Sequence, residues 1–394
     1  MRIAILGSKG IPTTSGGVER HVEELSLRLV RDGFFVDVFG RKSYSIPSES
    51  LYKGVRVFGY PSIPTKNLDA ITSTFLSVLR VIFGRYDIVH FHGIGPASLS
   101  WMVRLFRPDI KVVATFHSRD YEHEKWGLFA KLYFYLGEWI TCRVPHKTIA
   151  ISHSLGDYVW KQYKKNVVYI PNGCSVSALK SQEILKKLSL RPQKYILTVS
   201  RLVRHKGVHV LIQAFEEMQK QSSRFADWKL VIVGDASHTQ EYVEEVKKLV
   251  RNNPNVLIVG ERKGKELREL FSHAYLFVQP SSSEGLSIAL LEAMGYGTAT
   301  LVSDIPENRE AIQWAGRTFR SGDIEHLKEK LSFLLEQPED VCWLGILGKR
   351  RVSGEYDWDA IAKKTQSLFE SLTGDKQTLY ASGEKKPSYR FTIF

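Results

Sequence analysis

The chain has 394 residues, of which 43% are hydrophobic and 25% charged, and its formal net charge is +13. That length and balance fit two or three folded domains and exclude a disordered chain. The sequence shows no basic-then-apolar leader, and its best apolar stretch, Trp126 to Val144, is interrupted by Lys131, Glu138 and Arg143, so neither a signal peptide nor a membrane span is expected.

Cysteine usage and charge distribution narrow the class further. Cys142, Cys174 and Cys342 lie far apart, which predicts neither a disulfide framework nor a zinc site and suits a reducing, cytoplasmic setting. Residues 1–172 hold 23 Lys+Arg against 14 Asp+Glu, a net of +9, and the remainder holds 32 against 28, a net of +4. A basic N-terminal half suits an anionic partner: nucleic acid, a membrane surface or a phosphorylated substrate. Simple solubility accounts for it equally well.

Taken in chain order, "RIAILG" is a short apolar run ending in glycine, and "VDVFG", "VRVFG", "DIVHFHG", "KVVATFH", "KTIAIS" and "VVYIPNG" repeat the pattern. Amphipathic stretches such as Val18 to Arg31 and Leu68 to Phe83 lie between them. Such alternation predicts βα units around a largely parallel sheet covered on both faces. After "IPNG" (Ile170–Gly173) comes a polar stretch to about Gln193, which reads as a linker. The pattern then restarts with "YILTVS", "KLVIVGD", "NVLIVG", "YLFVQPS" and "TATLVS", separated by helical segments at His209–Gln221, Glu241–Asn252, Lys265–His273 and Ser287–Gly295. The expected division is 1–172, 173–356, a terminal helix at 357–373 and a loose basic tail at 374–394. Two such domains in tandem predict a central cleft that the C-terminal ends of the strands face.

The motifs fall on strand-to-helix turns. In "VSRLVRHKG", Arg201 and Lys206 lie between a strand and a helix start, a combination suited to a diphosphate. For that motif alone, a solvated basic turn is the commoner explanation. In "SSSEGLSIALLEAMGYGT", Glu284 lies on the turn after a strand, and Glu292 lies about two helical turns further along, on the stripe of Ile288 and Leu291. A carboxylate on an apolar stripe needs donors, which ribose and sugar hydroxyls supply and a buried ion pair supplies too. His90 and His92 alternate along "VHFHG"; His92, beside the glycine turn, is an acceptor-binding candidate and His90 reads as packed. Asp120 and Glu122 in "RDYEHEKW" serve an acceptor or stabilise their loop. "DWD" (Asp357–Asp359) has the form of a metal-binding Asp-x-Asp, but it opens a helix, where an Asp cap is the simpler account.

The "EGLSIALLE" and "AMGYGT" stretch, with "SRLVRHKG" upstream and "VVYIPNG" between the domains, resembles glycosyltransferase family 4 from Met1 to about Leu372. The resemblance implies an α/β GT-B fold with two Rossmann-like domains. It also implies a metal-independent, retaining transferase with no cofactor, using a nucleotide-diphosphate sugar, UDP- or dTDP- rather than GDP-linked. Arg201 and Lys206 would bind the diphosphate, Glu292 the ribose, and Glu284 would face the donor sugar. His117 in "VVATFHS" would lie near the reacting carbon, and Gly16 and Gly17 in "TTSGGVERHVEEL" would form the glycine-rich loop.

"GSKGIPTTSGGVERHVEELS", "HGIGPA" and "HSRDYEHEKWG" resemble a bacterial rhamnosyltransferase-like subgroup of cell-surface polysaccharide assembly, although Tyr121 departs from its small or apolar residue. A lipid-linked glycan acceptor and peripheral contact with the anionic inner face of the plasma membrane are the expected partners, with no nucleic acid. An inverting transferase, a sugar-nucleotide epimerase and a non-catalytic anion-binding module are the alternatives. "GSKGIPTTSGG" lacks G-x-G-x-x-G, which disfavours an oxidoreductase.

Overall fold

The computed structural model describes the chain except residues 14, 15, 45, 64, 66, 67, 120–127, 237, 238 and 375–394, together with the side chains of 128–131. Asp120, Glu122 and the tail from residue 375 therefore lie outside the described residues. The chain divides into two compact units. One holds Met1–Thr115, Leu136–Ile149 and the chain from Ala362 on; the other holds Phe116–Tyr135 and Ala150–Ile361.

The N-terminal part runs β1 (Arg2–Leu6), α1 (Gly17–Arg31), β2 (Phe35–Arg41), β3 (Ser50–Tyr52), β4 (Val55–Tyr60), α2 (Asp69–Ile82) and β5 (Ile88–His92). It continues with α3 (Ile94–Ala97), α4 (Ser100–Phe106), β6 (Lys111–Phe116), α5 (Leu128–Arg143) and β7 (Lys147–Ala150). The first unit orders its strands β3-β4-β2-β1-β5-β6-β7. The β1–β2, β2–β4, β1–β5 and β5–β6 pairs are parallel, and β3 runs antiparallel to β4. That edge hairpin escapes a reading based on βα alternation. Its two-residue turn has Lys53 at φ 47° and Gly54 at φ 89°, the positive angles that primed hairpin turns require. Ala4, Leu6, Val89, Phe91, Val112 and Ala114 project from one sheet face and bury Val78 and Val81 of α2 and Val103 of α4.

The remainder runs α6 (His153–Tyr163), β8 (Val168–Tyr169), α7 (Glu183–Lys187), β9 (Tyr195–Val199), α8 (Val208–Gln221), β10 (Lys229–Val233), α9 (Gln240–Val250) and β11 (Val256–Gly260). Next come α10 (Gly264–His273), β12 (Leu276–Gln279), α11 (Ile288–Tyr296), β13 (Ala299–Ser303), α12 (Pro306–Ile312) and β14 (Arg317–Phe319). Three helices close the described chain: α13 (Ile324–Glu336), α14 (Pro338–Glu355) and α15 (Trp358–Thr373). The second sheet is parallel, in the order β11-β10-β9-β12-β13-β14.

Setting β3 and the two-residue strand β8 aside and renumbering the others, both sheets have the order 3-2-1-4-5-6, which is the doubly wound, Rossmann-like arrangement. Chain direction reverses its progress across the sheet between β1 and β5 in one unit and between β9 and β12 in the other. Open sheets of this kind bind ligands beyond the carboxyl ends of the strands at that switch point.

Candidate functional site

In the second unit the switch-point strands are β9 and β12, and the turns that leave them carry Arg201, Lys206 and Glu284. Gly207 joins the two turns. It adopts φ +66°, a left-handed conformation, and a Cβ built on it would lie 2.1 Å from the carbonyl oxygen of Pro280. Only glycine meets both conditions without strain. The Ser282 N–H donates to the His205 carbonyl at 2.8 Å, a second backbone tie between the same turns.

These ties bring the Lys206 ammonium within 2.6 Å of Glu284 Oε1. The Lys206 side chain is 15% exposed and that of Glu284 8%, so the pair is largely withdrawn from water. Water screens such a pair far less than a surface pair. Ser281 Oγ donates to the same oxygen at 2.6 Å. Arg201 is exposed, and its guanidinium has no hydrogen-bond or ion-pair partner among the described residues. The buried hydroxyl of Ser200 beside it also lacks one. Arg204, the other cation of the turn, is committed to Glu245 and lies over the Tyr242 ring. The site thus presents one unpaired cation, one cation held by a carboxylate and a spare hydroxyl, a set of donors suited to an anionic guest.

Further polar groups back the Glu284 turn. Asn172 of "IPNG" is buried and donates from Nδ2 to the Leu286 carbonyl at 2.8 Å. His117, just past β6, belongs to the same unit, and its carbonyl lies 1.7 Å from where a Cβ on Gly285 would sit. The structure therefore brings His117 against the peptide that follows Glu284. Behind the turn, Gln279, Asn308, Ser303 and Ser281 form a buried hydrogen-bonded row. Sequence reasoning missed that row. Its only signal is the cluster of small polar residues in "VQPSSS" and "VSDIPEN", which looks like loop material. Glu292 lies half-buried on α11, whose N-cap Ser287 accepts from the Leu290 N–H at 3.3 Å.

In the first unit the switch-point strands β1 and β5 lead to the glycine-rich loop and to His92. Gly16 is the N-cap of α1 with φ 101°, and Gly17 is the first helical residue. Two carboxylates on α1 hold the loop before them: Glu19 Oε1 accepts from the Lys9 N–H at 3.0 Å, and Glu23 Oε2 from the Thr13 N–H at 2.7 Å. Glu23 also accepts from the Tyr52 hydroxyl at 2.9 Å. Burial raises the Glu23 pKa, but the hydrogen bonds from Thr13 and Tyr52 and the nearby Arg20 outweigh it and leave a net lowering. Glu19 and Glu23 together anchor the loop.

His92 and His90 are both fully enclosed, with ring centroids 4.1 Å apart, and His21 lies 5.3 Å from His92. His90 Nε2 meets the Thr115 hydroxyl at 2.7 Å, and burial, then His21, lowers its pKa to about 3.

Asp357 of "DWD" is a cap: its Oδ1 accepts from the Ala360 N–H at 2.9 Å. Among the described residues no group of three or more His, Cys, Asp or Glu is placed to hold a metal. No helix among them is long and apolar enough to cross a membrane.

Comparison with known proteins adds an independent line. The family model "Glycosyltransferase Family 4" matches residues 15–178, and "Glycosyl transferases group 1" matches residues 180–344. The alpha-maltose-1-phosphate synthase of Mycobacterium tuberculosis (strain CDC 1551 / Oshkosh) is 26% identical over 404 residues, covering 94% of this chain and 100% of that protein. Among solved structures, sucrose-phosphate synthase from Thermosynechococcus elongatus superposes with a TM-score of 0.81 at 20% identity, covering 97% of this chain and 100% of that one. Anabaena HepE in complex with UDP and glucose gives a TM-score of 0.77 at 17% identity, covering 94% and 100%.

Proposed function

We propose, because this chain belongs to glycosyltransferase family 4 and is a transferase of GT-B architecture, that it moves a sugar from a nucleotide-diphosphate donor to an acceptor hydroxyl with retention of configuration. The observation that carries the donor site is the Lys206–Glu284 couple, held by Gly207 at the switch point of the second sheet. Cleaving the bond from the anomeric carbon to phosphate places negative charge on the diphosphate and positive charge on the sugar. Lys206 and Arg201 answer the first, and Glu284 the second. Glu292 takes the ribose hydroxyls, and His117 stands near the reacting carbon. Gly16 and Gly17 let the loop backbone approach the substrate. The leaving phosphate accepts the acceptor's proton in a front-face reaction, so no side chain serves as covalent nucleophile.

The donor in this reading is UDP- or dTDP-linked, and no metal takes part. The acceptor is a lipid-linked glycan of cell-surface polysaccharide assembly, met at the inner face of the plasma membrane. Helix α5 supports that placement. It exposes Leu132, Tyr135, Leu136 and Trp139 at i, i+3, i+4 and i+7, with exposed Arg143 one turn beyond. Apolar stripes of that spacing bordered by cations bind anionic interfaces.

A thermal-shift screen of UDP-, dTDP- and GDP-sugars tests the donor, since a ligand bound to the folded state raises the melting temperature. Transfer from the donor so identified must disappear in Lys206→Ala and Glu284→Gln; persistence in both rejects the site. The anomer of the product, read by NMR, separates retention from inversion. Co-flotation with vesicles containing anionic lipid, weakened in Trp139→Ala, tests the membrane placement.

A further inference from the structure

The buried row behind Glu284 has a direction. Gln279 Nε2 donates to Asn308 Oδ1 at 2.7 Å, and Asn308 Nδ2 donates to Ser303 Oγ at 2.9 Å. Ser303 Oγ donates to the Ser281 carbonyl, and Ser281 Oγ donates to Glu284 Oε1 at 2.6 Å. The order admits no reversal. The single hydroxyl proton of Ser303 goes to a carbonyl, so its lone pair must meet an N–H, and Asn308 must turn its amide nitrogen there. The Asn308 carbonyl then faces Gln279.

We propose that Ser281, Ser303 and Asn308 are positioning residues that fix the rotamer of Glu284, so that its Oε2 is presented to the donor sugar. The relay presupposes the donor-site reading above. Both of Glu284's hydrogen bonds, from Lys206 and Ser281, fall on Oε1, and no described group donates to Oε2. A diphosphate that attracts Lys206 removes one of those two donors. Ser281 then remains as the holder of Oε1, and its own position is set by the carbonyl that Ser303 grips. Gln279, Ser281, Ser303 and Asn308 are each at most 5% exposed, so water does not replace a lost partner readily. The donors of Gln279, Asn308 and Ser303, aligned in sequence toward the Ser281 carbonyl, polarise one another, which strengthens the grip on that carbonyl and so on the backbone that carries the Ser281 hydroxyl. The row ties the ends of β12 and β13 to the first turn of α12, so the carboxylate takes its orientation from the sheet itself.

Calorimetric titration with UDP and with UDP-glucose tests the relay, using Ser303→Ala and, as a gentler change, Ser281→Ala. UDP lacks the sugar, so its affinity is expected to stay within about twofold of wild type, while that for UDP-glucose falls about tenfold, the scale of one hydrogen bond to a charged group. In a Glu284→Gln background the same substitutions are expected to add nothing further. Equal losses for both ligands, or losses that add to that of Glu284→Gln, would overturn the relay while leaving the donor site standing. A wild-type protein that binds neither UDP nor dTDP would overturn the site together with the relay that serves it.

Discussion

At the scale of single residues, two positions carry more than their side chains suggest. Gly207 is demanded twice, by its left-handed φ and by its approach to Pro280. Gly207→Ala is expected to cost about 1–3 kcal/mol from backbone strain alone, with the clash added, and urea unfolding measures it. Because the same turn delivers Lys206, the donor's thermal shift should shrink in parallel; an unchanged shift would mean that Lys206 is placed by other contacts. His90 carries a pH signature. Its folded pKa of about 3 lies below the ordinary value of about 6.5, so the unfolded chain takes up the proton first. Its contribution to stability is complete above about pH 6.5 and is lost as pH falls toward 3. His90→Gln should flatten the acid limb of a melting-temperature profile over that window, and a profile as steep as wild type would refute the assignment. Both positions differ in how far the sequence reveals them. The "RHKG" turn shows Lys206 openly, because a cation before a helix is a local pattern. The closeness of Gly207 to Pro280, 73 positions away, is a fact of packing that no spacing records. His90 reads correctly as packed, whereas His92, read as an acceptor candidate, is enclosed as well, with the His21 ring of another element 5.3 Å away.

At the scale of elements, strands and helices with strong periodicity were legible nearly to the residue. The stretch Val18 to Arg31 became α1 at Gly17–Arg31, and Leu68 to Phe83 became α2 at Asp69–Ile82. The helices α13 and α14 escaped notice because they follow the last strand, where βα alternation no longer sets an expectation. The polar stretch read as a linker holds α7, whose Ile184 N–H is accepted by the buried Glu269 at 2.9 Å, a partner 85 positions away. The glycine-rich loop illustrates how an element is held by its neighbour. Glu19 and Glu23 stand one helical turn apart on α1 and clasp the N–H groups of Lys9 and Thr13. Glu23→Ala removes a charged acceptor from a part-buried donor, a loss of about 1–3 kcal/mol at that site. Hydrogen exchange should then quicken at Thr13 by more than at the amides of α1's last turn, and uniform exchange would dissolve the clasp. The lowered pKa of Glu23 sets the sign in acid: its contribution is present above the ordinary carboxylate range and lost as pH falls through the lowered value.

At the scale of the whole molecule, α15 is the element whose loss both units should register. It starts in one unit and ends in the other. At its start Trp358 is 1% exposed and lies against Gly173, where a Cβ would come within 2.5 Å of the indole. Gly173 is the glycine of "IPNG", which explains in packing terms why that motif and the distant "DWD" stretch belong together. Toward its end Phe369 is fully buried with its ring 5.5 Å from His90, on the central strand β5 of the first unit. One helix therefore supplies a large aromatic to each core. Removing either ring should cost about 3–5 kcal/mol, the usual range for a buried aromatic, but the two losses should be felt in different places. Phe369→Ala is expected to raise hydrogen exchange in β5 and leave the Gly173 region protected. Trp358→Ala should do the reverse, loosening residues 170–174 and with them Asn172, which holds the Leu286 carbonyl beside Glu284. Donor affinity should accordingly drop in Trp358→Ala and persist in Phe369→Ala. If each substitution instead loosened both regions to the same extent, the units would unfold as one cooperative body, and α15 would be a general prop rather than two separate core contributions.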